Sequence, residues 1–278
     1  MSVRGNVTPP TGRRVLILQH GADDPPGQLG DWFTEAGAQL EVRRCFAGDP
    51  VPTGADGFDA LVSLGGAMGA RDDTDAPWLP ATRALLAAAT VAGVPTLGIC
   101  LGAQLLAAAT GGSVTRGANG PEIGAYLVAK RDAAEVDPLC ADLPMTPDVL
   151  HYHHDVVDRL PPSAVLLYSG TGYPHQAFRV GDRSWGLQFH IEVTAVDLRG
   201  WARAEGVWPL TPDVPPGLAR RLGPALDDAA EAVAVVWRVF AQRFVALAGA
   251  PSETPDALLG RRLPLAAPDG TPPDRTPG

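Results

Sequence analysis

Thr96-Leu97-Gly98-Ile99-Cys100-Leu101-Gly102-Ala103-Gln104-Leu105-Leu106 is the stretch whose reading decides the fold. A short apolar run stops at Ile99, one cysteine stands between glycines two positions away on either side, and a helical pattern begins. This is the layout of a nucleophile elbow, best known as G-x-S-x-G, in which a sharp strand-to-helix turn lifts the central side chain out of the sheet. The glycines are needed because the turn brings neighbouring backbone where a Cβ would clash. A cysteine at the start of a helix faces unpaired N–H groups and a partial positive charge, the setting of a reactive thiolate. Taken alone, the pentapeptide is equally the end of a buried strand that happens to carry a small cysteine.

Working outward, strand and helix signals alternate at short spacing. Val15-Leu16-Ile17-Leu18 reads as a fully buried strand, too short for a helix. A helix is expected from Leu29 to Ala36, closed by Gly37, then a strand at Leu40-Glu41-Val42. Asp59 to Leu64 is a third strand running into Gly65-Gly66, and Pro77 to Val91 a helix burying Leu79, Leu85, Leu86 and Ala89. Pro95 to Ile99 is the fourth strand, followed at once by a helix over Gly102 to Thr110. This order means βαβ units and a parallel sheet. After Gly111-Gly112, short β-rich pieces take over: Ala125-Val128, Val149-Tyr152, Val165-Tyr168, Gln176-Val180 and Trp185-Phe189. The fold class expected is therefore α/β, an open, mostly parallel sheet flanked by helices, with an added antiparallel β section.

Leu226, Ala230, Val233, Trp237, Phe240, Phe244 and Leu247 recur at steps of four and three, an amphipathic helix that either docks on the core or meets a coiled-coil partner. The expected organisation is a loose arm at residues 1–12, one domain at 13–249 and a proline-rich, poorly ordered tail at 250–278 that is dispensable for the chemistry.

Three further motifs carry chemistry. Trp185-Gly186-Leu187-Gln188-Phe189-His190-Ile191-Glu192 delivers a histidine and a carboxylate at a strand end, where residues two apart share a side. Glu192 can then hold one imidazole nitrogen and leave the other to the thiol, although a lone histidine here could equally be structural. Ser63-Leu64-Gly65-Gly66-Ala67-Met68-Gly69 is a glycine-rich turn after a strand. It lacks the G-x-G-x-x-G order of a dinucleotide loop; beside an elbow, the N–H groups of Gly66 and Leu101 can converge on an oxyanion, the other readings being a phosphate cradle or a plain tight turn. His151-Tyr152-His153-His154-Asp155 has an H-x-H-x-D pattern shared with metallohydrolase ligand clusters. A strand puts His151 and His153 on one side and His154 on the other, so further ligands would have to come from His175 or His190. No metal and no cofactor are expected; a substrate-facing loop and a purely structural one are the alternatives.

Composition excludes some classes of function. The 278 residues carry a formal net charge of -9, which argues against broad electrostatic binding to nucleic acid or to an anionic membrane. The three cysteines, Cys45, Cys100 and Cys140, form no C-x-x-C pair and no even framework, which points to a reducing compartment. With no apolar signal core at Met1 to Asn6 and no apolar run of transmembrane length, a cytoplasmic location is expected.

The elbow Gly98 to Gln104, the Gly65-Gly66 loop, the His153-His154-Asp155 segment and the His190-x-Glu192 pair, in that order, resemble the class I glutamine amidotransferases, and within them the stand-alone, GMP-synthase-like group. The likeness runs from about Val15 to Val193, more weakly to the helix near Phe244. It implies a Cys100, His190, Glu192 triad in which Cys100 attacks the side-chain amide of glutamine. A γ-glutamyl thioester and ammonia result, and water then releases glutamate. It implies an oxyanion hole at Gly66 and Leu101, and a grip on the substrate by Gly65, Gln104, His153, His154 and Asp155. The chain departs from the family in having Ile191 where proline is usual. GMP synthases also carry an ATP pyrophosphatase domain with a Ser-Gly-Gly loop, which is not expected in this sequence. The ammonia acceptor is then a separate synthetase partner, or there is none. Two alternatives stand beside that reading: a hydrolase of γ-glutamyl peptides or amines needing no partner, and a non-catalytic scaffold on the same fold.

Overall fold

A computed structural model describes residues 12–210 and 215–248. The expected arm, apart from Gly12, and the proline-rich tail lie outside the described residues. Twelve strands and six α-helices follow in chain order: β1 (Arg13–Gln19), α1 (Gly27–Glu35), β2 (Ala38–Arg44), β3 (Ala60–Ser63), α2 (Leu79–Val91), β4 (Thr96–Ile99), α3 (Leu101–Ala109), β5 (Ser113–Arg116), β6 (Glu122–Leu127), β7 (Ala129–Lys130), β8 (Asp148–His153), β9 (Asp155–Arg159), β10 (Ala164–Ser169), β11 (Ala177–Val180), β12 (Ser184–Leu187), α4 (Ala195–Ala204), α5 (Pro216–Leu222) and α6 (Ala225–Ala248).

Eight strands form one sheet in the order β2-β1-β3-β4-β12-β11-β10-β7. Its first five strands are parallel, and β12, β11, β10 and β7 then pair antiparallel. Two small antiparallel sheets, β5·β9 and β6·β8, complete the expected β section. The parallel half is apolar on both faces because helices cover both. In β1, Val15 and Ile17 belong to one core cluster and Leu16 and Leu18 to the other. The first cluster takes in α1 and α6, and the second takes in α2 and α3.

The stripe on α6 docks on the core rather than facing out for a partner: Leu226, Val233, Trp237, Phe240 and Phe244 are fully buried. Phe244 stacks on Phe33 of α1, ring centroids 5.6 Å apart, and Trp237 lies 4.8 Å from Phe189 just after β12. Such aromatic contacts contribute about 0.5–1.5 kcal/mol each beyond the area they bury. They brace the back of the strand that leads to His190. None of the described helices is long and apolar enough to cross a membrane.

Candidate active site

Strands β3, β4 and β12 are adjacent and parallel, so the loops leaving their carboxyl ends lie side by side. That edge of an open α/β sheet is where ligands bind. The three loops carry Gly65-Gly66, Cys100 and His190.

Cys100 caps α3 with φ 50° and ψ -107°, the one non-glycine residue with positive φ among those described. A side chain in that region is strained by about 1–3 kcal/mol and persists only where its surroundings impose it. The surroundings are the two glycines. A Cβ on Gly98 would stand 2.5 Å from the Gly102 carbonyl oxygen, and one on Gly102 only 1.9 Å from the Ser63 carbonyl oxygen. Cys100 N–H donates to Leu187 O (2.7 Å) and Gly102 N–H to Leu64 O (3.1 Å), tying the turn to β12 and to the end of β3.

His190 and Glu192 meet, though not along a strand as the sequence suggests. β12 ends at Leu187 because the chain changes partners there: Gln188 N–H donates to Gln176 O (2.8 Å), and His190 N–H to Leu150 O of β8 (2.7 Å). The turn still brings Glu192 Oε1 to 2.6 Å from His190 Nδ1, while Glu192 Oε2 accepts from Ile191 N–H at 2.9 Å. Both side chains are buried. Burial pushes the imidazole down, but the Glu192 carboxylate and the Cys100 thiol outweigh it and hold His190 well above the ordinary histidine value. Its Nε2 has no hydrogen-bond partner of full geometry. A Cβ built on Gly65 would be 3.2 Å from His190 Cε1 and 3.9 Å from Cys100 Cβ, so Gly65 marks where thiol and imidazole converge. Gly66 adjoins Leu101: a Cβ there would stand 2.9 Å from Leu101 Cδ2.

A cavity of about 610 Å³ opens over Cys100 and His190, with Gly66, Gln104, His153, His154 and Asp155 also on its wall. Gln104 reaches it with a tethered amide: Nε2 donates to Asp155 O (2.9 Å) and lies 3.3 Å from Gln188 Oε1. The Asp155 carboxylate faces Arg116 Nη1 at 3.6 Å. The His154 carbonyl accepts from Gly117 N–H.

The imidazole of His153 is engaged elsewhere. It lies 3.1 Å from Asp155 O through Nδ1, and through Nε2 3.1 Å from both Glu122 Oε2 and His151 Nδ1. His151 and His153 do project together, and His154 does not join them. Glu122, His151 and His153 form the one group among the described residues whose ligand atoms lie close enough to hold a metal ion, within 4.8 Å. The third member comes from β6, not from His175 or His190. Gln176 Nε2 also donates to Glu122 Oε2 (2.8 Å), so hydrogen bonds already join these side chains. Burial and the charges of His153 and His190 push His151 well below the ordinary value.

The pocket residues that escaped the sequence reading include Asp23, Asp24, Asp72, Arg116, Trp201 and Glu205. Trp201 on α4 stands 5.0 Å from the His190 ring and donates from Nε1 to Asp23 O (3.2 Å). The one sequence signal that could have located α4 is its capping box, Thr194 with Asp197.

A family model for glutamine amidotransferase class-I matches residues 31–198, more than half of the chain. The chain belongs to the class I glutamine amidotransferase family. Within it, a glutamine amidotransferase-like protein of Salmonella typhimurium is 31 % identical over 190 residues, 67 % of this chain and 79 % of that one. γ-Glutamyl peptidase 4 of Arabidopsis thaliana is 28 % identical over 167 residues, 59 % of this chain and 64 % of the peptidase. The crystal structure of a glutamine amidotransferase from Thermotoga maritima superposes with a TM-score of 0.72 at 30 % identity, covering 84 % of this chain and 98 % of that one. GMP synthases also match, over shorter stretches; for that of Thermomicrobium roseum the match spans 24 % of the enzyme's length. Members of the family are enzymes, and the mostly parallel sheet with an antiparallel section is their fold.

Proposed function

We propose that Cys100, His190 and Glu192 hydrolyse the side-chain amide of glutamine or of a γ-glutamyl compound to glutamate and an amine. The observation that carries this is the strained Cys100 backbone at the sheet edge, opposite a buried imidazole that Glu192 orients at 2.6 Å. Strain of this kind marks functional turns. With Glu192 fixing Nδ1, His190 Nε2 is left to exchange a proton with the thiol and then with the leaving nitrogen. Attack of sulfur on the amide carbonyl forms the C–S bond, and His190 passes its proton to nitrogen as the C–N bond breaks. Water, deprotonated by His190, then attacks the thioester and the C–S bond breaks. The N–H groups of Gly66 and Leu101 stabilise the oxyanion in both steps.

The amino-acid end of the substrate is assigned to the far side of Cys100. Arg116 and Asp155 there offer opposite charges to an α-carboxylate and an α-ammonium, and Gly65, Gln104 and the backbone of His153 and His154 complete the wall. For glutamine itself the amine is ammonia, delivered to a synthetase partner or to solvent. The 610 Å³ cavity favours a second reading, in which the amide nitrogen carries a substituent, because volumes of that order accept drug-sized ligands. Glutamate release from a panel of glutamine, γ-glutamyl peptides and γ-glutamyl amines, by wild type and Cys100→Ala, tests both. Release that depends on Cys100 is expected. Release undiminished in Cys100→Ala, or none from any compound by the folded wild type, removes the proposal.

A further inference from the structure

His190 must hand its proton to the departing nitrogen, so the leaving amine lies on the His190 side of Cys100. What lines that side has a single electrostatic character. Asp24 lies closest to the chemistry: a Cβ on Gly65 would be 3.8 Å from Asp24 Oδ1, against 3.2 Å from His190 Cε1 and 3.9 Å from Cys100 Cβ. Asp23 precedes it in the chain and accepts at its carbonyl from Trp201 Nε1–H. Trp201 is flanked by the His190 ring at 5.0 Å and the Tyr152 ring at 5.6 Å. Glu205, one residue past α4, is close enough to Tyr152 that, after burial, it is the next cause raising the Tyr152 hydroxyl's pKa.

Five carboxylates line the cavity (Asp23, Asp24, Asp72, Asp155 and Glu205) against one arginine, Arg116. That arginine is paired with Asp155 at the amino-acid end. Among the described residues, Asp23, Asp24 and Glu205 make no salt bridge, and the Asp24 carboxylate accepts no hydrogen bond. Burial pushes Asp24 up to about 6, with the charge of His190 opposing and those of Glu192 and Asp23 adding. A half-buried carboxylate without a salt-bridge partner suits an ammonium ion, to which it supplies the counter-charge, and Trp201 adds aromatic surface to the same cavity. His190 Nε2, buried, without a hydrogen bond of full geometry and next to Cys100, is the atom that must reach the leaving nitrogen, so that nitrogen departs beside this wall.

We propose that the wall formed by Asp23, Asp24, Trp201 and Glu205 is a leaving-group subsite for an amine that bears a second, cationic amino group. The substrate class is then the γ-glutamyl monoamide of a diamine or polyamine. This deepens the γ-glutamyl reading above and depends on it. Hydrolysis consumes one water and yields glutamate and the free diamine, with no further reactant.

The test compares γ-glutamyl-putrescine with γ-glutamyl-pentylamine, an isostere with methyl in place of the distal ammonium. Turnover is measured with wild type and affinity with Cys100→Ala, by calorimetry. One partly desolvated charge contact predicts a preference of about tenfold or more for the charged conjugate in kcat/KM. The preference should shrink as salt rises and collapse toward parity in Asp24→Asn. Should that variant fail to fold, Glu205→Gln and the salt dependence of wild type read the same charge. Conjugates hydrolysed within about twofold of each other would overturn the subsite and leave γ-glutamyl chemistry standing. Preferential binding by Cys100→Ala without turnover by wild type would support the subsite and sink the hydrolysis. Neither turnover nor binding would remove both.

Discussion

Replacing Glu192 with glutamine changes one oxygen to an NH₂ group, and the structure shows why that cannot be silent. Glu192 accepts twice, from His190 Nδ1–H at 2.6 Å and from Ile191 N–H at 2.9 Å, using one oxygen for each. A carboxylate can do both; an amide has one acceptor and one donor. Whichever way the glutamine turns, its NH₂ meets another N–H, or the imidazole flips to the tautomer that cannot act as base toward the thiol. A hydrogen bond to a charged group contributes about 1.5–3 kcal/mol. At 1.36 kcal/mol per factor of ten, kcat/KM should fall about 10- to 150-fold. The pH profile adds a second readout. Glu192 is the main influence raising His190 against the downward pull of burial, so in the variant the imidazolium loses its proton at lower pH. The alkaline limb of kcat/KM should therefore move toward neutrality. Coupled detection of glutamate, on protein whose melting curve matches wild type, measures both. A variant within about twofold of wild type with an unmoved alkaline limb would refute the assignment of Glu192 as the residue that orients His190.

Three further outcomes are expected. Cys100→Ala and His190→Ala should each remove nearly all turnover, and the double variant should cost little more, because residues that act as one unit are strongly non-additive; additive losses in glutamate release would contradict this. Gly102→Ala puts a Cβ 1.9 Å from the Ser63 carbonyl oxygen and should cost about 1–3 kcal/mol and about 100-fold in kcat. Gly200→Ala, in α4 with nothing within 4 Å, should instead stabilise by about 0.5–1 kcal/mol in denaturant unfolding, and equal effects at the two sites would count against the elbow geometry. Asp24→Asn should stabilise the protein at neutral pH. Wild type carries a carboxyl raised from 3.8 to about 6, so its stability is lost as pH rises through that window. The full shift corresponds to about 3 kcal/mol, which screening at a half-exposed site reduces to about 1–2 kcal/mol. A gain as large below pH 3.8 as above pH 6 would show that the charge is not the cause.

The parallel half of the fold was legible in the sequence because its strands are short apolar runs buried on both faces, as in Val15 to Leu18 and Thr96 to Ile99. The pieces that escaped are polar and paired mainly through backbone. β5 is half exposed, with Thr115 and Arg116 facing solvent, and its partner β9 ends in exposed Asp158 and Arg159. α4 and α5 are short, and α5 begins with proline. The site divides the same way. Cys100, His190 and Glu192 stand in linear motifs whose spacing carries their chemistry. Asp24, Arg116, Trp201 and Glu122 come from separate segments and converge only through tertiary packing, so spacing alone gave them no signal. The loop at 151–155 shows the limit most clearly: strand periodicity placed His151 and His153 on one side, but Glu122 pairs with His153 across β6 and β8, a register visible only in the folded sheet.

The central claim is that a γ-glutamyl group passes through the sulfur of Cys100, and an acid-quenched reaction analysed by peptide mass spectrometry tests it most directly. Cys45 and Cys140 are poor competitors: burial pushes the first up to about 11 and the second higher still, with Asp137 adding to it. The predicted result is one γ-glutamyl adduct on the peptide containing Cys100, released by hydroxylamine as a thioester is, and absent from Cys100→Ala. An adduct on Cys45 or Cys140, or continued glutamate release by Cys100→Ala with no adduct anywhere, would contradict it.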